Sequence, residues 1–185
     1  MRQYTTIAQI EDYLLTEIAP AFEHRVLSWI EQVSRYIEQE TGRVFIASAS
    51  VKKYDGNSKD ELFIDEIASL VSIKINGMFI SSGDILLYPA NETPKTRIKL
   101  RNGIFNKGEQ NIEITANWGY SISCPLDITL ATTIMVAGII NFAGELQDNV
   151  KTERLADYSI TYNDPEWKEL EKAKQIIQSY TKISI

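Results

Sequence analysis

Apolar residues recur at helical spacing in four stretches of the chain, and at strand spacing in the region between the second and the third. The first stretch starts near Thr6, which stands before Gln9 at the separation of a capping box, and carries Ile7, Ile10, Leu14 and Ile18 on one side. Pro20 separates it from a second stretch over about Ala21 to Thr41, which Gly42 closes as a C-cap. Its stripe is Phe22, Val26, Ile30, Val33 and Ile37, with Trp29 and Tyr36 beside it and Glu23, Glu31, Arg35 and Glu38 on other faces. The third opens at Cys124-Pro125, where the proline suits a first helical turn and Asp127 complements the positive helix end. The fourth follows Asp164-Pro165, carries Trp167, Leu170, Ala173, Ile177 and Tyr180, and is rich in Lys and Glu elsewhere.

Between the second and third helices the period shortens. Val44 to Lys53, Glu61 to Ile64, Val71 to Asn76, Ile85 to Tyr88, Arg97 to Leu100 and Gln110 to Trp118 read as strands. Tyr54-Asp55-Gly56-Asn57 reads as a turn, and Gly77, Gly83, Pro89, Pro94, Gly103 and Gly108 punctuate the rest. Asp157 to Tyr162 is a last extended piece, and Asp148 to Leu155 reads as an exposed loop. The pattern predicts an α+β fold: a bundle of about four helices with a small β-sheet or barrel-like insert between the second and third. The divisions fall at residues 1–43, 44–123 and 124–185.

The third stretch raises the question of a membrane. Its apolar run, from about Leu130 to Ala143, is broken by Thr132, Thr133 and Asn141, and is shorter than the roughly 20 residues a spanning helix needs. A helix buried on most of its faces is the expectation. The opening residues lack the charged start and apolar core of a signal peptide. With 19 Lys and Arg against 25 Asp and Glu the chain is acidic, which argues against a surface that grips nucleic acid. Cys124 is the only cysteine, so neither an internal disulfide nor a Cys-based zinc site can form, and a reducing compartment is the natural setting.

Little in the chain supports catalysis. His24, the only histidine, lies on the second helix between Glu23 and Arg25 and reads as solvated or at an interface. Cys124 precedes a helix start and reads as a small capping or buried residue. Ser50 and Lys53 match Ser-x-x-Lys but fall in a strand, where that motif has no helix start to act from. Asn91-Glu92-Thr93 matches a glycosylation acceptor without a secretory signal. Asp65 and Glu66 point to opposite faces of a strand and read as rim charges. No Gly-rich phosphate loop or EF-hand occurs, and no basic patch interleaved with aromatics is visible. The expectation is a chain that is not an enzyme and uses no cofactor or metal.

The order of several short motifs carries more than any of them alone. Tyr4-Thr5-Thr6 opens the chain, Glu40-Thr41-Gly42-Arg43-Val44-Phe45 ends the second helix, and Trp118-Gly119-Tyr120 precedes Cys124-Pro125-Leu126-Asp127-Ile128-Thr129-Leu130-Ala131. Asp157-Tyr158-Ser159-Ile160-Thr161-Tyr162 follows. In this order the sequence resembles the head–tail connector proteins (adaptor, or head-completion, proteins) of tailed bacteriophages and prophages, over most of its length.

The resemblance implies a structural virion protein at the neck, made in the host cytoplasm. It implies a homo-oligomeric ring, typically of twelve copies, between the portal protein and a downstream head-completion or tail protein. Such a ring extends the DNA channel, and DNA passes without sequence-specific binding and without a membrane. The C-terminal segment would contact the portal, here Trp167, Leu170, Ile177, Tyr180, Ile183 and Ile185. The loop with Asp148, Asn149, Lys151, Glu153 and Arg154 would face the channel or the next ring. An acidic lumen would repel phosphate and let DNA slide. The alternative from the residues themselves is a non-catalytic binding module whose β insert recognises a carbohydrate or peptide through Tyr54, Phe79, Tyr88 and Trp118.

Overall fold

The structure, a computed structural model, describes residues 2–145, 153–155, 158–160 and 165–182. Its elements in chain order are α1 (Ile7–Leu14), α2 (Pro20–Thr41), β1 (Ser48–Gly56), β2 (Glu61–Ile75), β3 (Met78–Phe79), β4 (Ile85–Tyr88), β5 (Lys95–Leu100), β6 (Gly108–Trp118), α3 (Leu126–Glu145), β7 (Glu153–Leu155), β8 (Tyr158–Ile160) and α4 (Pro165–Ser179). They form two compact units: a helical unit of Met1–Gly42 with Pro125–Ile185, and a β unit of Arg43–Cys124. The fold is α+β, with the sheet inserted between the second and third helices as the periodicities predict.

In the helical unit, local signals act where they were read. Thr6 and Gln9 form a reciprocal capping box that starts α1. Gly42, at φ 65°, ends α2 and donates its N–H to the Glu38 carbonyl. Two boundaries differ from expectation. α1 stops at Leu14 because Leu15 turns left-handed, so Ile18 lies past the helix and its N–H donates to Glu11 Oε1 at 2.8 Å. Pro20 is the first residue of α2, where its missing N–H costs nothing.

α3 is the centre of this unit, and α1, α2 and α4 all pack on it. Each helical step turns about 100°. The buried residues Ile128, Ala131, Thr132, Thr133, Ile134, Val136 and Ala137 therefore fall on every side of its middle turns. The threonines fit because their hydroxyls return to the backbone: Thr132 donates to the Ile128 carbonyl at 2.7 Å and Thr133 to that of Thr129 at 2.9 Å. The length argument against a membrane does not survive. The segment Leu126–Ala143 is a helix long and apolar enough to span one, with mean hydropathy 1.7. What marks it instead as a bundle core is the packing of three helices around its middle.

In the β unit every pairing between named strands is antiparallel, along the path β1-β6-β2-β5-β4 with β3 attached to β2. The sequence suggested two strands where the fold uses one. β2 pairs with β5 through its first half (Leu62 opposite Ile98, Phe63 opposite Arg97) and with β6 through its second (Ile67 opposite Trp118, Ile75 opposite Ile112). Register shifts around Ile67, Ser69 and Leu70 break the alternation, which is why the middle of β2 did not read as strand. Tyr54, Asp55 and Gly56 lie within β1, and the chain turns one step later, where Asn57 accepts from the Lys59 N–H and donates to the Glu61 carbonyl. The core enclosed by these strands includes Ile67, Ile73, Ile98, Phe105, Ile112, Ile114 and Trp118.

Part of the expected loop at Asp148 to Leu155 is ordered as strand: β7 pairs with β8 in a hairpin, Arg154 opposite Ser159.

Candidate assembly surfaces

The motifs at residues 4–6, 43–45 and 118–120 are structural, while of residues 157–162 only Tyr158–Ile160, in β8, lie among the described residues. Tyr4, Thr5 and Thr6 fasten three different elements. Tyr4 donates its N–H to Ser34 Oγ and its hydroxyl to Glu38 on α2, and Thr5 shares a 2.7 Å hydroxyl contact with Thr133 on α3. Thr6 caps α1. In the β unit, Arg43 pairs with the buried Glu66 and stacks on the Tyr120 ring, while Phe45 is fully buried and meets the same ring at 5.7 Å. Gly119, at φ 145°, donates its N–H to the Glu66 carbonyl; a Cβ there would stand 2.7 Å from Ala47 Cα. Trp118 donates its indole N–H to the Ser50 carbonyl and stacks on Tyr54, with Lys52 over its face. Glu66 is thus no rim charge but the buried half of an ion pair. Asp65, on the opposite face, accepts from Lys52 and Tyr54.

The candidate partner-contact residues fall in different environments. Ile177 and Ala173 are buried within the helical unit, and Leu170 is half-buried beside a cleft of about 110 Å3 lined also by Tyr13, Ile134 and Gly138. Tyr180 is half-buried and donates to Asp127 at 3.4 Å, and the Lys182 N–H donates to the Thr41 carbonyl. These bonds fix the end of α4 to the rest of the unit. Trp167 lies in the first turn of α4. Ile183 and Ile185 lie outside the described residues, as do Asp148, Asn149 and Lys151, whereas Glu153 and Arg154 belong to β7.

The four aromatics proposed to line one site are not gathered. Tyr54 and Trp118 stack on each other. Phe79 stands opposite Lys74 at the tip of β2, and Tyr88 stands opposite Arg97 on β4. His24 is exposed, and so are Ser50 and Lys53 on β1. Among the described residues no group of three or more His, Cys, Asp or Glu is placed to hold a metal ion. Burial raises the Tyr54 phenol from its ordinary value of 10.0 to about 12; the Asp65 N–H it accepts opposes this, and the Asp65 charge adds to it. The Lys99 ammonium holds the exposed Asp60 carboxyl below its usual range, and Asp60 raises Lys99 in return.

One arrangement has no signature in the sequence. β5 displays Lys95, Arg97 and Lys99 at alternate positions, so they share a face while Ile98 and Leu100 go to the core. Its neighbours place Phe63 and Tyr88 on either side of Arg97, whose guanidinium lies over both rings at 5.9 and 4.6 Å. The cations stand close together in sequence, but the aromatics come from separate strands, so only the register assembles a basic and aromatic patch.

No protein-family profile matches the sequence, and no curated protein sequence does. Solved structures do share the fold. A chain in the neck of an empty gene transfer agent particle, computed with C6 symmetry, superposes with a TM-score of 0.60 at 14% identity, over 97% of this chain and 90% of that one. A chain in the virion of a native gene transfer agent particle superposes with a TM-score of 0.51 at 13% identity, over the same shares.

Proposed function

We propose that this chain is a structural neck protein of a tailed, phage-like particle, forming a ring of its own copies between portal and tail and continuing the DNA channel. The observation that carries this is the likeness in fold to a chain of a gene transfer agent neck, which spans both units and nearly the whole of each chain. It agrees with the sequence resemblance to head–tail connectors. The C6 symmetry of that neck is compatible with six or twelve copies, and twelve is the number we propose.

The helical unit suits such a part. α3 is packed by the helical unit's other three helices, with Ile128, Ala131 and Ala137 buried, which gives a rigid body to carry contacts. Apolar residues remain outside it, including Leu126 at 83% exposure and Phe142 at 65%. The C-terminal segment with Ile183 and Ile185 is proposed to meet the portal, joined by Trp167, Leu170 and Tyr180, while Ile177 stays in the bundle. The segment with Asp148, Asn149, Lys151, Glu153 and Arg154 is proposed to face the channel or the next ring. No side chain in this account transforms a molecule.

Mixing the purified chain with the portal protein of the same particle tests the reading. Closed rings seen by electron microscopy, alone or only on the portal, are the expected result. A chain that stays monomeric with the portal present overturns it.

A further inference from the structure

We propose that the basic face of β5 docks on the acidic, apolar corner between α1 and α2 of a second copy of this chain. The inference rests on the ring reading and names the two flanks that meet.

The basic side is built before any partner arrives. Lys95, Arg97 and Lys99 form a line of about 14 Å at the strand's rise per residue, and the exposed Arg101 follows it. Arg97 is held by the rings of Phe63 and Tyr88 and by Glu61 at 3.1 Å, so docking costs it little rotamer freedom. Phe63 lies beside it at 68% exposure. Arginine and aromatic side chains are the types that dominate interface energetics. Arg101 has no side-chain partner among the described residues.

The acidic side has the complementary composition. No Lys or Arg occurs between Arg2 and Arg25, whereas Glu11, Asp12, Glu17 and Glu23 do. Leu15 stands among them at 89% exposure and in the left-handed conformation, φ 54°. A non-glycine residue there costs roughly 1–2 kcal/mol, and an exposed leucine recovers none of it by packing. Phe22, at 53% exposure, adds a second apolar contact on its open side, with the Arg25 guanidinium over its ring at 5.7 Å marking the end of the acidic stretch.

Charge is divided between the units in the same sense. The helical unit holds 9 Lys and Arg against 16 Asp and Glu, and the β unit 10 against 9. A sheet face meeting a helical corner is a head-to-tail contact between unlike surfaces, the kind that closes rings. Protein carboxylates beside apolar side chains match this face better than nucleic acid does. Glu61 and Asp60 already stand against Arg97 and Lys99, which leaves Lys95 and Arg101 as the excess charge, less than a phosphate backbone needs, while exposed Phe63 offers an apolar contact that a phosphate cannot use.

Sedimentation of the full chain tests the pairing. Phe63→Ser with Arg101→Glu, and separately Asp12→Lys with Glu17→Lys, should each raise the concentration for self-association by about tenfold or more. Arg101→Glu combined with Glu17→Lys should recover most of that loss, which a merely structural role would not produce. In a Cys124→Ser background, chains carrying Phe63→Cys and chains carrying Leu15→Cys should form a mixed disulfide when oxidised together at high concentration. Variants that associate like the parent overturn the inference and leave the ring reading in place. A parent that stays monomeric and yields no mixed disulfide overturns the inference; if it also forms no ring with portal, the ring reading falls too. Loss of DNA retention with self-association unchanged would assign the face to phosphate and likewise overturn the inference.

Discussion

Gly56 and Gly138 show how differently two glycines constrain one chain. A Cβ at Gly56 would stand 1.7 Å from the Asn106 carbonyl oxygen, in a cluster where Asn111 accepts from the Gly56 N–H and donates to Asn106 and Asn76. Gly56→Ala is expected to cost about 3 kcal/mol, seen as a large drop in Tm. At Gly138 a Cβ meets only Leu170 Cδ2, at 3.5 Å, inside a helix. Gly138→Ala is expected to stabilise by about 1 kcal/mol in the same melting experiment, because it lowers the helix-forming cost and adds contact in the cleft. Tyr54 supplies the pH test. Its folded pKa is raised, so the stability it contributes is complete below pH 10.0 and is lost as pH rises towards about 12. An absorbance titration should show a late phenol that Tyr54→Phe removes, together with that alkaline decline in stability. Thr6, Gln9 and Gly42 were legible in the sequence because their partners lie within a helical turn. Gly56 and Asn111 were not, because Asn106 and Asn76, which constrain them, lie in connections between strands that only the fold brings beside them.

Elements were legible where their period was regular. β4 was read with its observed bounds, and α2 to within its first residue. β2 was not, because bulges interrupt its alternation at the place where it changes partner. The segment joining α2 to the sheet also depends on a distant residue: Arg43 reaches across to Glu66, at the middle of β2. Arg43→Ala leaves that carboxylate buried without its cation and is expected to cost about 3 kcal/mol. Arg43→Met with Glu66→Leu should be close to neutral, and denaturant unfolding of the three chains measures the difference. The ends of the β unit lie side by side. The Tyr120 N–H donates to the Val44 carbonyl at 2.7 Å, and Ile46 bridges to Ser121. With its own core and adjoining ends, the fragment 43–124 is expected to fold alone and unfold cooperatively, as urea denaturation followed by Trp118 fluorescence would show.

At the scale of the whole molecule, composition and structure give different information. A net charge of −6 excluded a strongly basic surface overall but concealed a cationic strand face within a nearly neutral unit. It also concealed that the helical unit holds the excess of acid. The bundle with its β insert was readable from periodicity. The patch that flanks Arg97 was not, since sheet register alone brings Phe63 and Tyr88 to it. Electron cryo-microscopy of the particle that contains this chain tests the central claim most directly. The account predicts a closed ring of copies around the axis between capsid vertex and tail. Density for the chain away from that neck, or as isolated copies off the axis, would contradict it.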